Sequence, residues 1–501
     1  RVMKRFILIS LSLVVFGSYC STGQGIYIQP GAKMTVSGGG KLITSGGSAG
    51  QLTILSDETG TGSLVVDDHS ESLVALSGNA NVQCYLTTDV WHMISSPIAD
   101  AVSGVFLNDY LLTSDPTSSD GWGPYIVPVD VPMEVMRGYA AWKPASNPLS
   151  EIFSGDLNNG PVSISLTRND SDPWAGWHLV GNPYPCAIDL NSAGITWNMV
   201  DPTAYFYNPT SGNYYAYPHL SSPPINVGGD HSQYVPPMQG FYVHIFDGFT
   251  GTTTLEINNT ARIHADESFM KQSRSTDDIL VLKAEGTQNA FYDMTVVHFL
   301  SEVTGRYDPG YDAYKLFGEK EAPQIYSAMN GTKLSYNALP SAGEVTIIPL
   351  GFSSGLSGIN TITAVNPETF KTFSHVYLED KQEDVIQDLT ADPEYTFTYY
   401  KDDNENRFQL RFQNSAIGID ELQNGGMVRI WTNENDIYVE NNIPVLKPER
   451  LYIYDLLGRE MFSTELTLNT LDKVQLPLGS GYYVARVVAV NEIVSKKVFI
   501  R

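Results

Sequence analysis

Two stretches of this chain read as copies of one another, and that duplication constrains the fold more than any other feature. Trp91-His92-Met93-Ile94-Ser95-Ser96-Pro97 matches Trp177-His178-Leu179-Val180-Gly181-Asn182-Pro183. Downstream of each comes a methionine–glycine–aromatic strand, Met136-Arg137-Gly138-Tyr139 and Met238-Gln239-Gly240-Phe241. In both copies a tryptophan opens a strand and offers a large face for burial. Proline closes the strand because it has no amide to donate. Glycine before the aromatic permits close backbone approach. The spacing predicts a duplicated β unit over residues 81–265, with Trp91 and Trp177 as core residues of its two halves. His92 and His178 recur with the repeat and lack a partner at metal-ligand spacing, so they are read as packing or hydrogen-bonding residues.

The rest of the chain is also written in short strands. Residues 26–80 give three-to-five-residue β runs separated by Gly-rich turns, about one run per ten residues, which predicts stacked rungs of a small β-helix or β-roll. Ser37-Gly38-Gly39-Gly40-Lys41 looks like a phosphate loop, but Leu42 stands where Ser or Thr would bind Mg²⁺ and no helix follows. After a polar linker at 266–275, about seven strands over 276–414 predict a jelly-roll-like β-sandwich. Gly351-Phe352-Ser353-Ser354-Gly355 fits the spacing of a nucleophile elbow, yet a strand follows it and not the required helix. The expected fold class is therefore all-β and multidomain.

Charged residues are only 17% of the 501 residues and the formal net charge is −25. That balance disfavours nucleic acid and anionic lipid as partners, since both need clustered Lys and Arg. Met3-Lys4-Arg5, the apolar run Phe6–Phe16 and the small residues after it predict a secretory signal over 1–25, cleaved near Gly23–Gly25. Tyr19 before Cys20 is bulky for a lipoprotein signal. Cys84 and Cys186 remain. Export to an oxidising compartment would let them pair, while their non-equivalent positions around the repeat weigh against it.

Two candidate sites are suggested by composition alone. Tyr205, Tyr207, Tyr214, Tyr215 and Tyr217 could stack on sugar rings, or could be core and cross-strand pairs. Asp402, Asp403 and Asn404, between two strands, could hold Ca²⁺ or form a solvated hairpin turn. Glu379-Asp380 and Glu383-Asp384 form a second acidic loop able to approach them. No other cofactor is expected.

The last strands carry Tyr454-Asp455-Leu456-Leu457-Gly458-Arg459, then Gly481-Tyr482-Tyr483-Val484, then Lys496-Lys497-Val498. In that order at the C-terminus they resemble the type A C-terminal sorting domain of Bacteroidetes type IX secretion substrates. Leu478-Gly479-Ser480-Gly481 departs from the Pro-Ser-Gly turn more usual there. The resemblance covers 427–501 and implies an Ig-like sandwich, with Tyr454, Asp455, Gly458, Arg459, Gly481, Tyr483, Lys496 and Lys497 in the sorting signal. It implies the type IX machinery and its sortase as partners, passage through the periplasm, and release or attachment to surface lipopolysaccharide. The repeat, including Gly181-Asn182-Pro183-Tyr184-Pro185, resembles non-catalytic middle regions of surface proteins with this domain. The function expected is non-catalytic adhesion or binding to glycans or to host or matrix proteins. The alternatives are a carbohydrate-active enzyme whose acids come from distant strands, or a structural surface-layer component.

Overall fold

The computed structural model describes residues 26–36, 41–43, 52–66, 75–77, 80–147, 149–221, 233–265, 278–340, 345–365, 373–401, 403–413, 428–433, 435–441, 448–455, 458–467, 471–489 and 492–500. The expected signal segment with Cys20, both expected linkers, Ser37–Gly40, Leu456, Leu457 and Asp402 lie outside the described residues. Among the described residues every regular element is a strand, except two single 3-10 turns at Ser103–Phe106 and Asn259–Ala261. The chain divides into two compact units, Arg1–Gln413 and Asn414–Arg501.

The first unit begins as a parallel coil. Ile26–Ile28 pairs in parallel with Leu52–Ile54, which pairs in parallel with Ala80–Tyr85. Lys33–Val36 pairs likewise with Ser63–Val66, and Lys41–Ile43 with Ala75–Ser77. The ten-residue spacing seen in the sequence is thus one side of a three-sided turn. Ile28, Leu52, Ile54, Leu64, Val66, Ala80 and Val82 point into the coil. Its last strand then turns outward to pair antiparallel with Ser150–Gly155, so the coil shares one core with the first repeat copy.

The two repeat copies use the same register. Trp91–Ile94 lies antiparallel to Tyr139–Trp142 with Ile94 opposite Tyr139, and Trp177–Gly181 lies antiparallel to Gly240–His244 with Val180 opposite Phe241. In both, the methionine before the glycine adopts a left-handed backbone, φ 67° at Met136 and 61° at Met238. That conformation is costly for a side-chain-bearing residue. It turns the methionine carbonyl across to the other copy: Gly181 donates its N–H to Met136 O (3.0 Å), and Ser95 donates to Met238 O (2.8 Å). The glycines cross the same boundary. A Cβ on Gly138 would lie 2.5 Å from Leu179 Cγ, and one on Gly240 would lie 2.9 Å from the carbonyl carbon of Met93. Each copy therefore holds the other by equivalent atoms. Asn158 ties the pair again, donating to Ser96 O (3.1 Å) and Pro183 O (2.9 Å).

The strands expected to form a jelly-roll-like sandwich form one eleven-stranded sheet, running from Val385–Asp388 at one edge to Glu394–Tyr399 at the other. It curls around a core that includes Leu280, Phe299, Ile348, Phe352, Phe397, Phe408 and Phe412. Tyr395 Oη donates to Asp380 Oδ2 (2.9 Å), linking one edge strand to His375–Asp380, the neighbour of the other edge strand. Within this sheet Gly351, Phe352 and Ser353 belong to the strand Val345–Ser353, and Gly358–Ala364 is a strand as well. A nucleophile elbow is excluded there.

The second unit is a two-sheet sandwich. Val428–Asn433, Asp436–Asn441 and Leu471–Gln475 form one sheet. Glu460–Glu465, Pro448–Tyr454, Gly481–Ala489 and Glu492–Ile500 form the other. Ile430, Ile437 and Val439 from the first meet Leu451, Ile453, Val487, Val498 and Ile500 from the second.

Candidate functional site

The duplication presents the same sheet face twice, and the chain treats the two faces differently. In the second copy the row formed by Trp177 and His244 is covered. Tyr205 meets Trp177 edge-on with ring centroids 4.9 Å apart, and Tyr314 lies 4.9 Å from the His244 ring. Tyr307 stacks on Tyr314 at 4.2 Å. Below them Arg168 Nη1 donates to His244 Nε2 (3.1 Å), because a guanidinium can only donate. His244 Nδ1 therefore carries the proton and donates to Asp201 Oδ2 (3.1 Å), which also accepts from Tyr307 Oη (3.1 Å). Burial raises the Asp201 carboxyl despite these bonds. This network seals the face with the molecule's own residues.

In the first copy the equivalent row stays open. Trp91, Trp142 and Tyr110 stand opposite one another on three adjacent strands, with Trp142 at the position His244 holds in the second copy. Cross-strand partners share a face. Trp91 and Trp142 meet edge to face at 5.5 Å, and Tyr110 continues to Tyr125 at 5.5 Å. Tyr110 and Tyr125 are 52% and 53% exposed, although tyrosines in such a row normally gain by burial. Met93, Leu112 and Ala140 on the same face are buried and support the row from one side. Two tilted ring pairs, Trp91–Trp142 partly buried and Tyr110–Tyr125 exposed, form an aromatic patch able to contact a sugar ring or an aromatic or aliphatic side chain.

Of the two readings open for the tyrosine-rich stretch, burial favours core and cross-strand packing. Tyr205, Tyr215 and Tyr217 are buried, at 1%, 6% and 5% exposure. Tyr207 and Tyr214 are half-buried and lean on each other at 5.3 Å, with Tyr207 Oη donating to Glu319 Oε1 (2.9 Å). Tyr205 Oη accepts from Tyr314 N, and Tyr217 Oη donates to Asn191 Oδ1. Burial pushes the Tyr217 hydroxyl up to about 12. These residues alternate along Thr203–Asn208 and Asn213–Pro218 because both faces of that hairpin are packed. Sequence reasoning missed Tyr110 and Tyr125, which stand alone in the sequence and become neighbours only when the irregular segment around Tyr125 folds beside the strand Tyr110–Thr113, with Ile126 N bonded to Leu111 O (2.9 Å).

The acidic loops do approach one another, around a cation that the chain supplies. Arg407 Nη2 pairs with Asp380 Oδ2 (2.6 Å) and lies 3.6 Å from Glu383 Oε1, while Arg407 Nη1 pairs with Asp403 Oδ2 (3.3 Å). Asn404 Oδ1 accepts from Asn406 N in a tight turn. Asp402 lies outside the described residues. Asp403 and Asn404 thus serve the hairpin reading, with a guanidinium where a calcium ion was considered.

The repeated histidines behave alike. His92 Nε2 donates to Thr87 O and His178 Nε2 to Thr167 O, both 2.9 Å. Burial lowers both rings, His178 to about 4. Cys84 and Cys186 are free and buried in different core clusters, so the disulfide considered from the sequence is absent.

In the second unit Tyr454, Asp455, Gly458 and Arg459 build one tight turn. Gly458 takes φ 81°, and Asp455 accepts from Arg459 through both N–H and guanidinium, at 2.9 and 2.7 Å. Gly481 opens the strand paired with the last one, and Tyr483 Oη reaches back to Gly479 O (2.9 Å). Lys496 and Lys497 stand opposite Ala485 and Val484, with Lys497 over the Tyr482 ring at 4.8 Å.

Together these features define a multidomain all-β protein built around a duplicated unit, with one repeat face sealed and the other open. Its family follows from comparison with known proteins: residues 6–412 match DUF8693, a domain of unknown function, and the chain belongs to that family. The match ends where the first compact unit ends. The chain is also similar to the minor fimbrium subunit Mfa5 of Porphyromonas gingivalis, 22% identical over 414 residues. That alignment takes in 77% of this chain and 32% of the relative, so the chain spans about a third of the relative's length.

Proposed function

We propose that this protein is a non-catalytic adhesive component of the bacterial cell surface that binds glycans through the open aromatic row of its first repeat copy. The observation that carries the surface role is the similarity to a fimbrium subunit over 414 residues. The row Trp91–Trp142–Tyr110–Tyr125 supports glycan as the ligand, because the exposed rings of Tyr110 and Tyr125 offer apolar faces on which a saccharide can stack. Export by type IX secretion, recognition by its sortase and attachment to lipopolysaccharide remain part of the proposal. They rest on the motifs of the second unit, whose strand Glu492–Ile500 holds Lys496 and Lys497.

Surface placement is tested in the native host by protease shaving of intact cells, followed by detection of the remaining protein. The wild-type chain is expected to be cleaved from outside. A chain lacking Lys496 to Arg501 is expected to stay in the periplasm and survive shaving. Surface display of that truncated chain would overturn the type IX part, and protection of the wild-type chain would overturn the surface role itself.

A further inference from the structure

Directly behind the aromatic row lies a buried lysine held by two carboxylates. Lys143 follows Trp142 and Asp109 precedes Tyr110, so the Tyr110–Trp142 register makes Asp109 and Lys143 the next cross-strand pair. The side chains of both are fully buried, and that of Glu151 is 15% exposed. Lys143 Nζ donates to Asp109 Oδ2 (2.9 Å) and contacts Glu151 Oε1. The other Asp109 oxygen, Oδ1, accepts from Asn147 Nδ2 (2.6 Å).

We propose that Lys143 and Asp109 condense to an intramolecular amide, with Glu151 as proton relay. Burying one ammonium and two carboxylates is costly even when they are paired. Burial raises the Glu151 carboxyl, so this group is disposed to carry a proton. The reactive state is the one in which an Nζ proton has moved to Asp109, leaving an amine and two acids, all neutral. Burial favours it, but the bonds to Glu151 and Asp109 prevail and raise the lysine, so the reaction proceeds from a minor state. The Nζ lone pair forms a C–N bond at Asp109 Cγ. Charge developing on Oδ1 is met by the Asn147 amide, a fixed donor of the kind that stabilises tetrahedral intermediates. Glu151 takes a proton from Nζ and returns one to Oδ2, which leaves as water. Ammonium plus carboxylate gives amide plus water, and no oxidant or cofactor is required.

A second buried pair has the lysine and the carboxylate but no second acid beside them among the described residues. Lys315 Nζ donates to Asp293 Oδ2 (2.7 Å), and the same oxygen accepts from Ile325 N (2.6 Å). Among the described residues this lysine is paired with one carboxylate only, and it is expected to remain an ion pair. The amide would join residues 34 apart in sequence and lock the strands that carry Trp142 and Tyr110. The platform would then resist shear when the surface is pulled.

Tryptic mapping of the reduced, denatured full-length chain tests this directly. Trypsin cuts after Lys41 and Arg137 but not between Lys143 and Pro144. Asp109 therefore lies on fragment 42–137, whereas Lys143 and Glu151 share fragment 138–168. The expected result is the two fragments joined, one water lighter than their sum, with the Lys315 fragment unlinked. Glu151→Gln is expected to slow linkage about 100-fold, the usual contribution of a positioned proton carrier. Asp109→Ala should give the two fragments free. Free fragments from the wild-type chain would overturn the proposal without any variant having to fold. Fragment 138–168 alone losing water would overturn the assigned roles, since it would place the amide on Glu151. A linked Lys315 would overturn the need for a relay.

Discussion

Replacing Gly138 by alanine adds one methyl group where the two repeat copies meet. The new Cβ would lie 2.5 Å from Leu179 Cγ and 2.6 Å from Val180 O. The leucine side chain can rotate away, but the carbonyl belongs to the strand Trp177–Gly181 and cannot move alone. Gly138 also donates its N–H to Leu179 O (3.0 Å), so relief by parting the chains stretches that bond. Ordinary contact begins at 3.4 Å, so the strands must separate by roughly 0.8 Å, an overpacking that typically costs about 1–3 kcal/mol. For a large domain each kcal/mol lowers the melting temperature by roughly 2–4 °C, which places the expected loss at about 2–12 °C. Gly138 does not have a left-handed φ, so the penalty is steric and not conformational. Gly305 is the control, since it has open space around it and no left-handed φ. Gly305→Ala should change stability by less than about 1 kcal/mol and in the stabilising direction. Gly240→Ala, with its nearest contact at 2.9 Å, should fall between the two. Thermal unfolding followed by circular dichroism ranks the three. Gly138→Ala melting together with Gly305→Ala would refute the reciprocal contact between the copies.

Other consequences can be checked independently. Tyr205→Ala empties a buried ring site and should cost about 3–5 kcal/mol, read as a lowered melting temperature and poor secretion. Burial lifts the Asp312 carboxyl to about 7. A raised carboxyl binds its proton more tightly in the folded state, so this group's contribution to stability should decline as pH rises from about 4 to 7. Asp312→Asn should flatten that slope in denaturant melts at successive pH values, and an unchanged slope would count against it. Cys84 and Cys186 should be silent to a thiol reagent in the native protein and yield two thiols after unfolding without reductant. Burial, with the Glu151 carboxylate nearby, pushes the Cys84 thiol up to about 12.

Much of the fold was legible because it is written in local patterns. The Trp-His-x-x-x-x-Pro frame and the Met-x-Gly-aromatic frame survive in both copies, and their shared register follows from their shared spacing. The short runs with Gly turns announced the N-terminal coil, although the chain pairing that makes each run one of three sides is not a local property. The curled eleven-stranded sheet was read as a sandwich, because strand count is visible in sequence and the order in which edges join is not. The site was less legible for the same reason. Alternating tyrosines look identical on a solvent face and on a hairpin packed on both sides, so both readings of Tyr205–Tyr217 stay open in the sequence, while the contact between Tyr110 and Tyr125 is not visible there. The acidic loops were visible, but Arg407, four residues beyond Asp403, was not read as the charge that gathers them. Asp109, Lys143 and Glu151 meet only once the strands are in register.

Glycan-array binding of the full-length chain, wild type against Tyr110→Ala/Tyr125→Ala, tests the central claim most directly. Both residues are more than half exposed, so the double variant should melt within about 0.5 kcal/mol per site of wild type. The wild-type chain is expected to bind a defined set of glycans. Loss of one stacked ring typically removes about 1–3 kcal/mol, so the variant should bind that set at least tenfold more weakly. Equal binding by the two proteins, or no glycan bound by the wild-type chain, would contradict the assignment of this face.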